Sequence, residues 1–347
     1  MMKFFLEIVL LNVLIFCGAL TLEAGLVWRP GEGWVDESGE IAAATSSREQ
    51  LEIGNRYFEK GDYDNALKAY RSLIRRWPLS FMAPEAQFKI GQCLEKRGAF
   101  WDAYRAYNTM LQKYPNSEFF NQALERQMAI GNLYLAGEKR RLLKIPLGAD
   151  YQKAVEIFEG IVRTAPFSRF APEAQYKAGL AMENMSRYIE AVAAYNRVLE
   201  RYPADDIADD AQYQIGYAWL RASQKSDYDQ SAAQKALEAF EEFLIRYPTS
   251  EKAPQARQHI SRLKGLSAES SLNIARFYEK QKNYEAAYIY YNDVIQQMPE
   301  SEDAKIAQRK IDELRSIVER QRIKQKVPSL SSDFPSSVTG KSREKKR

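Results

Sequence analysis

The feature that most constrains this chain is a proline that recurs six times, at intervals of 37 to 51 residues. Each proline stands twelve residues after an alanine, and an aromatic residue lies four residues after that alanine. The six alanine, aromatic and proline sets are Ala66, Tyr70 and Pro78; Ala103, Tyr107 and Pro115; Ala154, Phe158 and Pro166; Ala191, Tyr195 and Pro203; Ala236, Phe240 and Pro248; Ala287, Tyr291 and Pro299. Residues four apart share one face of an α-helix, and a proline beyond them cannot continue the hydrogen-bond ladder. The pattern predicts six helices, each ending just before its proline.

A second signature precedes each of these helices: a small residue followed three positions later by a large apolar one. The pairs are Gly54 and Tyr57, Gly91 and Leu94, Gly131 and Tyr134, Gly179 and Met182, Gly216 and Trp219, and Ala275 and Tyr278. A small residue on this first helix lets the second helix approach closely, and a single hairpin cannot bury its apolar faces alone. The pattern resembles the tetratricopeptide repeat, over about Glu49 to Leu314. It implies an all-α fold, a right-handed superhelical solenoid of about six helical hairpins with a C-terminal capping helix.

The repeats depart from a regular period in three places. Eleven extra residues fall between the helices of the third hairpin, within 137–148, and eight between those of the fifth, within 223–231. We interpret them either as binding elements on one face of the array or as tolerated surface loops. The last proline interval exceeds the 37-residue spacing by 14, close to four turns of helix, which keeps the apolar face in phase. We therefore predict one long first helix over Ala253–Lys280, and a capping helix near Asp303–Gln321.

The first 24 residues have the pattern of a secretory signal, with Lys3 followed by an apolar run from Phe4 to Leu22. An uncleaved membrane anchor is one alternative. Lipid attachment is another, because the residues around Cys17 resemble a bacterial lipobox apart from Phe16, where a small residue is usual. We favour ordinary cleavage near Ala24. In each case the mature chain lies outside the cytoplasm.

We predict the remaining organisation as a linker at 25–48, the solenoid at 49–321 and a disordered basic tail at 322–347. The formal net charge is +4, but residues 320–347 contribute +7, which leaves −3 for the rest. Phosphate binding needs cations clustered on the binding face, so we expect no nucleic-acid partner.

The residues that usually carry chemistry are scarce. His259 is the single histidine, and Cys17 and Cys93 are the two cysteines, too few for the usual zinc ligand set or a disulfide framework. The aspartates at 205–206 and 209–210 fit a helix start, where carboxylates favour the helix dipole, better than a metal or acid–base site. We assign no catalytic, cofactor-binding or metal-binding residue, and we expect a protein that is not an enzyme and needs no cofactor.

One stretch carries a closer resemblance. It contains Phe240-x-x-Phe243, Arg246-Tyr247-Pro248-x-Ser250, a long helix ending in Ala275-Arg276-Phe277-Tyr278, and Tyr284-Glu285-Ala286-Ala287. These residues resemble the BamD family of outer-membrane protein assembly factors. The resemblance implies a scaffold in the periplasm or on the inner face of a Gram-negative outer membrane. Its partners would be the assembly machinery, including the barrel insertase BamA, and unfolded β-barrel clients.

The chain departs from that family in its poor lipobox, in having six hairpins where five are typical, and in its basic tail. The alternative function is a periplasmic tetratricopeptide adaptor in cell-envelope division or in polysaccharide or protein export.

Overall fold

A computed structural model describes residues 26–29, 33–36, 44–137, 139–142, 145–225 and 230–326 of the 347-residue chain. The predicted signal segment with Cys17, and residues 327–347 of the predicted tail, lie outside these ranges. The described ranges contain thirteen helices. They are α1 (Ser47–Glu59), α2 (Tyr63–Arg76), α3 (Ala83–Lys96), α4 (Phe100–Lys113), α5 (Phe120–Leu135), α6 (Tyr151–Thr164), α7 (Ala171–Asn184), α8 (Tyr188–Arg201), α9 (Ile207–Lys225), α10 (Gln230–Arg246), α11 (Ala253–Lys280), α12 (Tyr284–Gln297) and α13 (Glu302–Lys326).

Four short strands accompany the helices and form two antiparallel pairs. Strands β1 (Leu26–Arg29) and β2 (Gly33–Asp36) pair within the segment predicted as a linker. Strands β3 (Lys139–Leu142) and β4 (Ile145–Ala149) pair within the eleven-residue insertion, with a register irregularity between Lys139 and Arg141. The first insertion is thus a β-hairpin placed between α5 and α6.

The chain divides into two compact units, and the boundary between them in the sequence falls between Arg187 and Tyr188. In unit 1, helices α1 to α7 pack in series, each against the next one along the chain. In unit 2, α8 to α13 do the same. Serial packing of this kind is what a repeat array requires, because each hairpin buries its apolar faces only against its neighbours.

The recurrent proline ends the second helix of a hairpin because it changes the backbone conformation of the residue before it. Trp77, Tyr114, Ala165 and Met298 each precede a proline, and their φ values lie between −130° and −139° with ψ between 58° and 71°. The ring of a following proline clashes with a residue in the α conformation, so that residue leaves the helix. The predicted position of each helix end is therefore set by this local clash.

The two signatures meet inside the hairpin, where the aromatic ring of the second helix lies directly on the glycine of the first. A Cβ atom added to Gly54, Gly91, Gly131 or Gly216 would stand 2.4, 2.3, 2.6 or 2.7 Å from the ring of the partner aromatic. Those partners are Tyr70, Tyr107, Phe158 and Phe240 respectively. Any side chain at these glycines would push the helices apart, so the glycine sets the distance between them.

A buried polar contact accompanies the ring. The residue four positions before the small residue is glutamine in five hairpins, and in the first, second and fifth of them its side chain reaches the backbone of the second helix. Gln50 Nε2 donates to Ala69 O at 3.2 Å, Gln87 Nε2 to Ala106 O at 2.9 Å, and Gln212 Nε2 to Ala239 O at 3.5 Å. A buried amide needs such a partner to offset its desolvation. This glutamine was not recognised from the sequence.

The main fold predictions are confirmed: the body is all-α, built from tetratricopeptide-type hairpins, and α11 runs unbroken over Ala253–Lys280. Other boundaries differ. Of the second insertion, residues 223–225 belong to α9 and residues 230–231 to α10, and residues 226–229 lie outside the described ranges. Helix α13 continues to Lys326, five residues into the predicted tail, because its buried apolar residues, ending at Val318, are followed by good helix formers.

We predict that Gly91→Ala destabilises unit 1 by about 2–3 kcal/mol, because the new Cβ overlaps the ring of Tyr107 in a packed interior. Gly265→Ala is the matched control, since a Cβ there meets nothing within 4 Å. Its higher helix propensity should stabilise α11 by about 0.5–1 kcal/mol. Urea denaturation followed by circular dichroism measures both variants. Labelling of the buried Cys93 thiol gives a readout confined to unit 1. Equal stability of the two variants would contradict the role assigned to the ring contact.

Candidate functional site

The first helices of the three hairpins in unit 1 form a shallow open groove. It has a volume of about 540 Å³ and lies between α1, α3 and α5. Its lining residues are Phe58, Lys89, Gln92, Glu95, Lys96 and Arg126. We call this surface the first-helix groove.

Glu95 anchors one side of the groove through three hydrogen bonds. Its Oε1 accepts from Tyr107 Oη at 2.5 Å and from Arg126 Nε at 3.0 Å, and Arg126 Nη2 pairs with its Oε2. Burial and the hydrogen bond to Glu95 raise the pKa of Tyr107 above its usual range, so the phenol stays a donor. Because Arg126 comes from α5, this contact joins two successive first helices and neutralises the carboxylate.

The rest of the groove offers an aromatic surface and two cations. Lys89 Nζ lies 4.9 Å from the centroid of the Phe58 ring, within the range of a cation–π contact. Lys96 is exposed at the end of α3. The Oε1 atom of Gln92 is buried and has no hydrogen-bond donor. Such a surface suits an extended peptide, whose apolar side chains can pack on Phe58 and whose carbonyls or carboxylates can reach the lysines.

The same polar link recurs in unit 2. Glu279, at the end of α11, accepts from Tyr291 Oη at 2.6 Å and from Lys310 Nζ of α13 at 3.0 Å. Burial alone would raise the pKa of Glu279, but the hydrogen bonds from Tyr291 and Lys310 and the lysine charge together hold that pKa below its usual value. Glu95 and Glu279 each stand four residues after the small residue of their hairpin, a signal that the sequence reading missed.

The extra turns of α11 produce a second cavity, of about 400 Å³, between α10, α11 and α12. Its lining is mainly hydroxyl and amide groups. Gln230 Nε2 donates to Ser270 Oγ at 3.1 Å, and Ser271 Oγ donates to Asp293 Oδ2 at 2.5 Å. The helix extension predicted from the proline interval therefore opens a polar pocket in unit 2.

His259, Asp209 and Cys93, to which the sequence analysis assigned no catalytic or metal-binding role, lie within the packing of the fold. His259 stacks on Phe240 with centroids 5.0 Å apart, and its Nε2 lies 3.2 Å from Tyr213 Oη. Burial, then the charge of Arg262, lowers the pKa of His259. Asp209 accepts from Ser250 Oγ at 2.8 Å at the start of α9. Burial raises the pKa of the Cys93 thiol to about 12.

The six signature alanines and six signature aromatics are buried, each with at most 1% of its surface exposed. Phe58 of α1, by contrast, lines the groove, and Phe277 of α11 is exposed.

Within the described ranges, no helix combines the length and the apolar character needed to cross a membrane.

These features define a tetratricopeptide repeat protein, and the model of that repeat matches residues 51–118. The family model described as "Outer membrane lipoprotein" (YfiO) matches residues 147–326, slightly more than half of the chain. The chain belongs to this outer membrane lipoprotein family.

Curated relatives carry the name "Outer membrane protein assembly factor BamD". The protein from Caulobacter vibrioides is 25% identical over 147 residues, which cover 42% of this chain and 48% of that protein. The protein from Rickettsia prowazekii is 25% identical over 145 residues, covering 42% and 58% respectively. The chain thus spans about half the length of the curated relatives it matches. A solved MamA protein structure aligns over 59% of this chain and 96% of its own, with 20% identity and a TM-score of 0.31. The fold assignment rests on the hairpins described above and not on that superposition.

We predict that Glu279→Gln reduces the loss of stability of unit 2 in acid. A carboxylate whose pKa is lowered by folding stabilises the protein above its unfolded pKa, which is about 4.3 for glutamate, and this contribution is lost as the pH falls through the folded value. Thermal unfolding at a series of pH values between about 3 and 7 measures the effect. The variant should unfold at a lower temperature than the parent near neutral pH, and the two curves should converge below about pH 4. Parallel curves over the whole range would contradict the assignment.

Proposed function

We propose that this chain is a non-catalytic periplasmic scaffold in the assembly of outer-membrane β-barrel proteins. Membership of the outer membrane lipoprotein family and the similarity to BamD proteins support the pathway. The observation that carries the mechanism is the first-helix groove of unit 1, which is open and lined by Phe58, Lys89 and Lys96.

In this proposal the groove receives an extended segment of an unfolded client. Phe58 packs against an apolar side chain, and the two lysines attract carbonyl or carboxylate oxygens. Glu95 does not compete with the client for the lysines because Arg126 and Tyr107 already satisfy it.

The double variant Lys89→Glu/Lys96→Glu should bind a urea-unfolded β-barrel protein about tenfold more weakly, since reversing each partly exposed charge changes the binding free energy by about 0.5–1 kcal/mol. Lys68→Glu is the matched control, because Lys68 is exposed on α2 and lies outside the groove. Photocrosslinking from residue 92, after rapid dilution of the unfolded client, measures the binding. Equal crosslinking in all three proteins would overturn the groove assignment.

Affinity capture from detergent-solubilised envelope tests the pathway independently of the groove. We expect a barrel insertase to co-purify with the full chain. Recovery of division or export proteins in its place would favour the adaptor function.

The anchor is tested by the intact mass of the mature chain. A mass beginning at Cys17 and including acyl groups supports a lipoprotein, and a mass beginning near Gly25 supports ordinary cleavage.

A further inference from the structure

Three apolar side chains in unit 1 are almost completely exposed, and all three lie in loops that join a second helix to the next first helix. Leu79 and Phe81, between α2 and α3, are 98% and 96% exposed, and Phe167, between α6 and α7, is 100% exposed. The other large apolar side chains in the described ranges are at most 81% exposed. We infer that this edge of unit 1, comprising residues 75–82, 112–119 and 163–170, docks on a bilayer that contains anionic phospholipid. We call it the apolar edge.

The three loops lie along one edge because they follow the second helices of successive hairpins, α2, α4 and α6. Tyr114, at the end of α4, donates from its Oη to Pro78 O at 3.2 Å, which joins the first two loops directly. Helix α6 packs closely beside α4, because a Cβ atom added to Gly160 would lie only 2.6 Å from the Oη atom of Tyr104. The third loop therefore follows in the same row.

Hydrogen bonds hold the exposed side chains outward. Ser80 N donates to Trp77 O at 3.1 Å, Met82 N donates to Ser80 Oγ at 3.1 Å, and Ala83 N donates to Ser80 O at 2.9 Å. Ser168 makes the same turn in the third loop, with its N and Oγ donating to Ala165 O at 3.1 and 2.8 Å. Leu79, Phe81 and Phe167 are thus fixed on rigid turns, and little conformational entropy is lost when they enter another phase.

The equivalent loops of unit 2 show that the fold does not require apolar residues at these positions. Directly after the proline, unit 2 has Ala204, Thr249 and Glu300, where unit 1 has Leu79, Asn116 and Phe167. The charge differs as well. Over the eight residues around each proline, the loops of unit 1 carry +2, 0 and +2, and those of unit 2 carry −2, +1 and −3. The apolar edge is therefore both more apolar and more basic than its counterpart.

This combination favours a lipid surface over a protein partner. Protein interfaces bury a contiguous apolar centre, whereas here Leu79 and Phe81 are separated from Phe167 by the polar loop at 115–118. Separate apolar tips flanked by arginines suit the interfacial region of a bilayer, where the tips enter the acyl boundary and the guanidinium groups meet phosphate. Arg76, Arg163 and Arg169 are all exposed beside the tips.

The first experiment compares binding to vesicles of phosphatidylcholine alone with binding to vesicles containing about a third phosphatidylglycerol. The full chain should prefer the anionic vesicles. The triple variant Leu79→Ser/Phe81→Ser/Phe167→Ser should partition about tenfold less well or worse, because it loses three apolar side chains from the acyl boundary. Ile245→Ser is the matched control, as an exposed apolar residue in the last turn of α10 in unit 2, and it should bind as the parent does. All three proteins carry the same basic tail, so the differences between them report the edge alone.

The second experiment locates the contact. An environment-sensitive dye is attached to Leu79→Cys, Phe167→Cys or Ala204→Cys in a chain that carries Cys17→Ser. Cys93 is buried with a raised thiol pKa, so it stays unlabelled. Anionic vesicles should shift the emission to the blue at positions 79 and 167 and leave position 204 unchanged.

Unshifted dyes at positions 79 and 167, or a triple variant that binds like the parent, would overturn the proposal. Vesicle binding would then belong to the tail, and the exposed side chains would be assigned to a protein partner. This inference can fail without affecting the scaffold function. Client crosslinking at position 92 and capture of the insertase test that function, and neither experiment uses vesicles.

Discussion

The contact between an aromatic ring and a glycine backbone sets the geometry of the hairpins in this protein. In the second hairpin the ring of Tyr107 would lie 2.3 Å from a Cβ on Gly91, so the two helices are as close as a side chain of that size allows. Close approach brings the tyrosine hydroxyl to the far side of the first helix, where it meets Glu95. The buried contact thereby fixes a hydrogen-bond donor at the rim of the first-helix groove.

This geometry links neighbouring hairpins as well as the two helices of one hairpin. Glu95 receives Arg126 from the next first helix in unit 1, and Glu279 receives Lys310 from the capping helix in unit 2. Both carboxylates are only partly exposed, so each charge is stabilised by a cation and a phenol together. A surface ion pair alone contributes little stability, but here the pair is held by a ring that is itself fixed in the core. The spacing between first helices is thus coupled to the packing inside each hairpin.

The parts of the fold that follow from local rules could be predicted from the sequence. Proline placement defined the end of each second helix, because the clash with the preceding residue acts over two neighbouring residues. The length of α11 followed from counting whole turns. The parts that depend on partners distant in sequence were missed. Gln87 donates a hydrogen bond to a carbonyl 19 residues away in the sequence, and Glu95 pairs with a cation 31 residues away. Hydrophobic periodicity predicts neither contact. Both recur at a fixed offset from the small residue, so aligning the repeats by that residue would have revealed them.

The insertions were harder, because helical periodicity says nothing about a segment that leaves the helix. Strands β3 and β4 pair in the region of the first insertion, whereas residues 223–225 and 230–231 of the second belong to α9 and α10. The loops after the prolines show the complementary case. Their backbone is fixed by a serine two residues after the proline, or by Asp205 after Pro203, so the residue between the proline and that side chain points to solvent and is free to vary. A position that the fold leaves unconstrained can hold alanine, threonine or glutamate, as in unit 2. Two nearly fully exposed phenylalanines and a leucine in unit 1 therefore need an explanation outside the fold, and the charge around them indicates where that explanation lies.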